Sequence, residues 1–222
     1  SQRDSYINNL IAELKDRVEK VKKFRLESAR EGTRKLAETP YIFAEIRHKE
    51  GNTVLIPRVA SENRFYVPMG FVYEDIIVAD SAMAIYDAPV WLLAILQSKM
   101  HLIWLRNIGG KLETRYRYSA SLVYNTFPVP KLSKKMKERL EEAIIDIIDF
   151  RDENGGTLAE LYGSPLAEKN PKPMNEELLN LHKYLDKVVD GIYSEKEFKN
   201  DEERLALLLK MYKEKMEGED GR

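Results

Sequence analysis

With 222 residues, 43% hydrophobic and 33% charged, the chain carries enough apolar material for one large or two small domains, and at this size folding buries roughly 70% of the unfolded surface. It has no cysteine, which excludes disulfides and thiolate metal sites and fits a cytoplasmic setting, while no apolar run approaches the roughly 20 residues of a membrane span, so no membrane partner is expected. The net charge of −1 hides a split: residues 1 to 130 carry 19 Lys and Arg against 15 Asp and Glu, a net of +4, and residues 131 to 222 carry 17 against 22, a net of −5, which hints at a polyanionic partner for the first part.

Polar Ser1–Asp4 give no sign of a secretory signal. Residues 5 to 31 predict one long helix, because Tyr6, Leu10, Leu14, Val18, Val21 and Leu26 recur at helical spacing and Gly32 is a natural stop. Its Lys15, Arg17, Lys20, Lys22, Lys23 and Arg25 are read as a solvated, salt-bridged face rather than a phosphate-binding one. From Tyr41 the period changes. YIFAEIRH, TVLIPRV and RFYVPMGF are short, rich in β-branched and aromatic residues, and punctuated by Gly51-Asn52, Pro57, Pro68 and Gly70. With IIVADSAMAIY they predict four to five short strands between 41 and 87 in antiparallel meanders, the prolines marking edges, strand ends or bulges. PVWLLAILQSKMHLIWLRNIGG is apolar nearly all round and predicts a buried helix or helix pair ending at Gly109-Gly110. His101 lies inside it and is read as a core or rim histidine.

KLETRYRYSASLVYNTFPVP then concentrates Lys111, Arg115, Arg117, Tyr116, Tyr118 and Tyr124 between a double glycine and Pro128 and Pro130. Past Pro130 the chain turns helical and acidic. Ser133 is a natural N-cap for a helix closing at Gly155-Gly156, and Thr157 with Glu160 suits a capping box. EKNPKP makes a linker, two more helices follow, the last capped at Asn200 or Asp201, and the tail EGEDGR is expected to be disordered. The predicted class is α+β: a linking helix over 1–39, a small mostly antiparallel sheet with buried helices over 40–130, and a C-terminal helical module over 131–222.

Catalytic motifs are missing. There is no G-x-G-x-x-G, P-loop, G-x-S-x-G or HExxH, and none of the N/D-P-P-Y/F signature by which an adenine amino-methyltransferase holds its flipped base. Asp190 with Glu197 and Lys199 is the nearest approach to a metal-dependent nuclease set, a spacing easily met where a third of residues are charged. No catalytic residue, metal site or cofactor is assigned to this chain.

LIPRVASENRFYVPMGF, ADSAMAIYDA and SKMHLIWLRNIGGKLETRYRYSASLVYNTFPVP resemble the target-recognition domain of MmeI-like type II (IIG/IIL) restriction–modification enzymes. In that family one bacterial polypeptide carries a nuclease, an adenine-N6 methyltransferase and one recognition domain. DFRDENGGTLAELYG and LLNLHKYLDKVVDGIY resemble its C-terminal helical segment, so the likeness covers roughly residues 15 to 195 and is most specific from Met100 to Pro130. It implies recognition of double-stranded DNA, contact with an upstream methyltransferase domain of the same polypeptide, and no catalysis by this portion. S-adenosylmethionine and Mg2+ would serve the upstream parts.

Taken as one extended strand, GKLETRYRYS places Lys111, Glu113, Arg115 and Arg117 on one face. On the residues alone two readings stand. In one, Glu113 merely pairs with Arg115 or Lys111 on a solvated strand, worth about 0–1 kcal/mol. In the other, the face enters a DNA major groove, where Arg donates to guanine O6 and N7 and Glu accepts from cytosine N4. The resemblance favours the second: it implies that Glu113 and Arg115 specify the pair next to the methylated adenine, read as C·G, and that Arg117 reads a neighbouring pair together with Ser81. Lys111, Arg58 and Arg64 are further candidates for DNA contact, the two arginines equally for structural roles at the sheet edge. Tyr116, Tyr118 and Tyr124 are read as packing aromatics. Two other functions fit the elements: half of a specificity subunit from another methyltransferase system, or a helical protein–protein interaction module.

Overall fold

The computed structural model describes residues 2–73 and 76–219, arranged as two compact units, residues 1–48 and 49–222. Tyr6, counted in the helical pattern above, lies outside the residues whose side chains are described, and Asp220, Gly221 and Arg222 of the tail lie outside the described residues altogether.

In the first unit, α1 (Gln2–Leu26) stops short of the predicted Gly32, which instead falls within α2 (Glu31–Lys35). The reason is local. Ser28 Oγ accepts the Arg30 N–H at 3.2 Å, offering the backbone an alternative to the next helical bond, and the Arg34 guanidinium binds the carbonyls of Ser28 and Ala29, both at 2.9 Å. Arg25 donates to the carbonyls of Leu36, Thr39 and Ile42 at 2.8, 2.9 and 2.8 Å, so it closes the unit's turn. YIFAEIRH forms no strand; Tyr41, Phe43 and Ile46 are exposed. Among the described residues every strand belongs to the second unit, so this segment has no ladder to satisfy its backbone.

The second unit opens with β1 (Thr53–Pro57), β2 (Val59–Ala60), β3 (Gly70–Val72) and β4 (Ala82–Tyr86). The helix pair follows as α3 (Val90–Leu96) and α4 (Lys99–Ile108), then β5 (Gly110–Leu112), β6 (Arg115–Arg117) and a π-helical turn at Ala120–Tyr124. The C-terminal helices are α5 (Lys134–Asn154), α6 (Leu158–Tyr162), α7 (Glu176–Tyr193) and α8 (Asp201–Glu219). Residues 217–219 of the expected disordered tail therefore continue α8. The caps fall where the side chains require them: Ser133 accepts from Met136 N–H, Thr157 and Glu160 form the capping box, and Asn200 accepts from Glu203 N–H.

The strands make two antiparallel three-stranded sheets rather than one meander, ordered β3-β1-β4 and β2-β6-β5. They share one continuous stretch, since β1 ends at Pro57, which has no N–H for a ladder, and β2 restarts at Val59 in the other sheet. Against them lies the apolar helix pair, with Leu93–Leu96 and Met100–Leu105 buried without a polar face. α5 packs on α3 and α7 through Leu140, Ala143, Ile144, Ile147 and Phe150, each fully buried Leu or Ile contributing about 1.5–3 kcal/mol.

Polar groups cross this core, and most find partners. Asp186 of α7 accepts from the Tyr66 hydroxyl at 2.6 Å and from the Lys99 N–H at 2.7 Å, where α4 begins. Tyr162 of α6 joins Gln97 at 2.6 Å and His182 at 2.8 Å, and His182 stacks on Tyr66 at 4.2 Å. Arg151 of α5 donates to the Met69 carbonyl at 2.8 Å, and His101 meets the Tyr118 hydroxyl at 3.1 Å. Burial pulls both imidazoles down to about 3 and pushes the Asp186 carboxyl up to about 6, the Tyr66 and Lys99 hydrogen bonds resisting the latter shift.

These shifts set the acid stability. Below pH 6.5 the unfolded chain protonates His101 and His182 while the folded chain keeps them neutral, so both withdraw stability as pH falls toward 3. Asp186 acts in the opposite sense: the folded chain takes its proton near pH 6, the unfolded chain only near 4, so this group adds stability on acidification across that window. Two groups outweigh one. The urea midpoint is expected to fall on acidification from pH 6.5, and Asp186→Asn, which removes the opposing group, is expected to steepen the fall between pH 6 and 4. An unchanged or shallower slope would show that Asp186 does not titrate as its burial dictates.

Candidate nucleic-acid interface

The segment after the double glycine is a β-hairpin, not the single extended strand taken above. β5 and β6 pair with Gly110 opposite Arg117, Lys111 opposite Tyr116 and Leu112 opposite Arg115, leaving Glu113-Thr114 as a two-residue turn. Residues opposite one another share a face, so Arg115 and Arg117 lie on one face with Leu112, and Lys111 lies on the other with Tyr116. Glu113 sits in the turn itself, and its carboxylate accepts from Arg115 Nη2 at 2.9 Å with both side chains exposed. The four charges are thus all exposed at one hairpin, but they do not form one row.

Glu113 has φ +57°, and Thr114 is not among the residues with positive φ. That is the dihedral pattern of a type II′ turn, whose first central position ordinarily holds glycine. A glutamate held there costs of order 1–3 kcal/mol, the kind of strain that collects at functional sites. Just before the hairpin, Gly109 ends α4 where a Cβ would lie 2.5 Å from the Leu105 carbonyl oxygen, so no larger residue fits. The hairpin base is anchored: Tyr116 and Tyr118 are buried, and Lys111 and Arg106 approach the Tyr116 ring at 5.0 and 5.9 Å.

Arg58, between β1 and β2, connects the predicted residues. Its N–H donates to the Ser81 carbonyl at 3.0 Å, its carbonyl accepts from Tyr118 N–H at 2.9 Å, and its Nε donates to the Asp80 carbonyl. Ser81, Arg58 and the residue after Arg117 are therefore drawn to one place, with Arg58, Ser81 and Arg117 exposed. Arg64 is placed elsewhere. Its Nε donates to the Gly163 carbonyl at 3.0 Å, and Gly163 holds φ +54° where a Cβ would lie 2.4 Å from the Pro173 carbonyl oxygen. Arg64 thus braces the loop around α6.

Glu62 was not singled out from the sequence. The antiparallel register that sets Ala60 opposite Tyr116 carries Glu62 toward Thr114; a hydrogen bond from the Thr114 side chain, with Arg115 and Lys111 nearby, holds its carboxyl below the usual range. Only the strand pairing would have revealed it. Of the nuclease-like trio, Asp190 is engaged by Arg204, whose Nε donates to its carboxylate at 3.0 Å, both side chains largely buried. Among the described residues no group of His, Asp and Glu is placed to hold a metal ion, and no helix is long and apolar enough to cross a membrane.

Comparison with known proteins defines the class of this fold and surface. Residues 2–131 match the MmeI target recognition domain and residues 132–218 the MmeI C-terminal domain. The chain belongs to the MmeI family, as its target-recognition and C-terminal domains. It is 46% identical over 204 residues to DNA methyltransferase A of Bacillus subtilis (strain 168), covering 92% of this chain and 22% of that protein. Among solved structures it is similar to the type IIL restriction–modification enzyme MmeI in complex with DNA, with a TM-score of 0.81 and 40% identity over 90% of this chain and 26% of that one. The chain thus spans about a quarter or less of the length of these relatives.

The strained turn gives a stability test. Glu113→Gly is expected to raise the unfolding free energy by about 1 kcal/mol, because glycine adopts positive φ without steric cost. Glu113→Val is expected to lower it by a similar amount. Urea denaturation of the three proteins measures both, and a destabilised Glu113→Gly would refute the strained-turn assignment.

Proposed function

We propose that this chain reads double-stranded DNA sequence as the specificity region of a longer restriction–modification polypeptide, whose adenine-N6 methyltransferase and endonuclease parts lie upstream and use S-adenosylmethionine and Mg2+. The observation that carries the reading is the charged hairpin tip, with Glu113 and Arg115 already paired at 2.9 Å and exposed. A two-stranded ribbon fits the major groove of B-form DNA. There the Arg115 guanidinium donates to guanine O6 and N7 while the Glu113 carboxylate accepts from cytosine N4, so one pair of side chains reads the two halves of one C·G pair. Arg117, on the same hairpin face as Arg115, reads the adjacent pair with Ser81, which Arg58 holds beside the end of β6. Lys111 and Arg58 supply phosphate contacts, which position without specifying. Family membership and the printed names of the relatives, a DNA methyltransferase and a DNA-bound restriction–modification enzyme, support this reading.

Three measurements test it. Arg115→Ala is expected to cost about 1–3 kcal/mol against the preferred site and to relax one base position. In the intact polypeptide, the exchange Glu113→Lys with Arg115→Asp is expected to move methylation from C·G to G·C at that position; retention of the original preference would refute the pairwise code. Binding of the 222-residue chain to duplex DNA in a mobility-shift assay is expected to weaken steeply with salt, each phosphate contact adding about −0.9 to the slope of log K against log salt. A flat salt response would exclude a phosphate-tracking interface.

A further inference from the structure

Glu62 stands outside the hairpin and reaches its tip. Val59 pairs with Arg117 and Ala60 with Tyr116, and two residues further along the same register sets Glu62 across from Thr114, the second residue of the turn. The Thr114 side chain donates a hydrogen bond to the Glu62 carboxylate, as does the backbone N–H of Glu62 itself, and Arg115 and Lys111 lie close enough to favour its charge. Its Oε2 is shielded from solvent and has no hydrogen-bond partner, so the carboxylate depends on these neighbours for compensation. Glu62 is half-buried, while Lys111, Glu113, Thr114 and Arg115 are exposed.

Glu62 is also the fixed side of this contact. The Asn63 N–H donates to Ser61 Oγ at 3.2 Å, which turns the chain directly after Glu62. The Asn63 carbonyl accepts from Leu166 N–H at 3.0 Å, and Arg64 Nε donates to the Gly163 carbonyl at 3.0 Å. Residues 61–64 are thus tied to the loop between α6 and α7. The turn, with Glu113 at φ +57°, keeps a costly conformation that needs such outside support. A carboxylate beside Arg115 and Lys111 weakens their attraction for phosphate; what it contributes instead is order at the tip. We infer that Glu62 is a positioning residue for base readout: gripping the Thr114 hydroxyl from a loop fixed to the C-terminal portion, it holds the Glu113-Thr114 turn in the form that sets Glu113 against Arg115. The inference rests on the proposed reading of Glu113 and Arg115 as the pair that recognises one base pair.

The test reads discrimination rather than affinity. In the intact polypeptide, methylation is compared on two duplexes that differ only in C·G or G·C at the pair assigned to Arg115. Glu62→Ala is expected to reduce the preference about tenfold, and Glu62→Gln, which keeps an acceptor for Thr114, to retain most of it. Thr114→Val removes the hydroxyl at nearly constant shape and is expected to match Glu62→Ala, with the double variant losing no more than either. A role confined to charge would make Gln and Ala act alike and raise the rate on both duplexes equally. A role confined to overall stability would make the loss follow the urea midpoint. Either result, or an unchanged preference in Glu62→Ala, would overturn the inference; if Glu62→Ala does not fold, Thr114→Val, at an exposed position, decides alone. In the 222-residue chain without DNA, amide order parameters at Glu113, Thr114 and Arg115 are expected to fall from about 0.85 to below about 0.6 in Glu62→Ala, with α5 unchanged. A hairpin that stays as rigid would equally overturn the inference. A hairpin that loosens as expected, in a protein whose wild type shows no preference between the duplexes, would count against the proposed function alone.

Discussion

The structure of the second unit depends on one buried carboxylate. Asp186 of α7 accepts from the N–H of Lys99 at the start of α4 and from the hydroxyl of Tyr66 in the loop before β3, and so ties a C-terminal helix to two elements of the first half of the unit. A negative group at the N-terminus of α4 meets the unpaired N–H groups and the positive end of the helix dipole. Its burial is costly enough to raise its own proton affinity, and without Tyr66 and Lys99 the site would hold an uncompensated charge. Along α4 the next fixed point is His101 against Tyr118, and the last is Gly109, pressed onto the Leu105 carbonyl. The hairpin begins one residue later. Its direction is therefore set by a helix held twice in its first turn, by Asp186 and by Tyr118, and again at its end.

This explains why recognition and C-terminal portions fold as one compact unit. Arg64 reaches the Gly163 carbonyl, Arg151 the Met69 carbonyl and Gln97 the Tyr162 hydroxyl, each contact crossing from one portion to the other. Buried polar groups of this kind stabilise little unless all are satisfied, but they admit few alternative arrangements of the elements they join. The helices after Pro130 act on the hairpin through such contacts.

The elements most legible in the sequence were those whose local chemistry and burial agree. The apolar run from Pro89 to Gly109, the Ser133 and Asn200 caps and the Thr157–Glu160 box all stand where side-chain type alone puts them. What misled the reading was partnership across distance. YIFAEIRH has the composition of a strand and no neighbouring strand, and the pairing of β2 with β6 spans residues whose register no local pattern encodes. The hairpin tip was illegible for a sharper reason: a two-residue turn of this kind is ordinarily announced by glycine or asparagine, and this one is made by Glu113-Thr114. The residues proposed to read DNA were named from their chemistry together with the family resemblance, but their arrangement was not.

That arrangement changes the physics of the proposed readout. On one extended strand, side chains two residues apart sit about 6.6–6.8 Å from each other along the strand, about two base-pair steps of B-form DNA, which suits different base pairs rather than two halves of one. The turn folds Glu113 back until its carboxylate meets the Arg115 guanidinium at 2.9 Å. In the proposed readout this pair would present a donor fork and an acceptor together to a single C·G pair, with little side-chain freedom left to be lost on binding. The strain at Glu113 holds the carboxylate at the apex. Because the tip is exposed while Tyr116 and Tyr118 anchor the base in the core, the apex residues can be exchanged without disturbing the fold that presents them. Substitution at positions 113 and 115 should therefore alter which base pair is read while leaving unfolding within about 1 kcal/mol of the original chain.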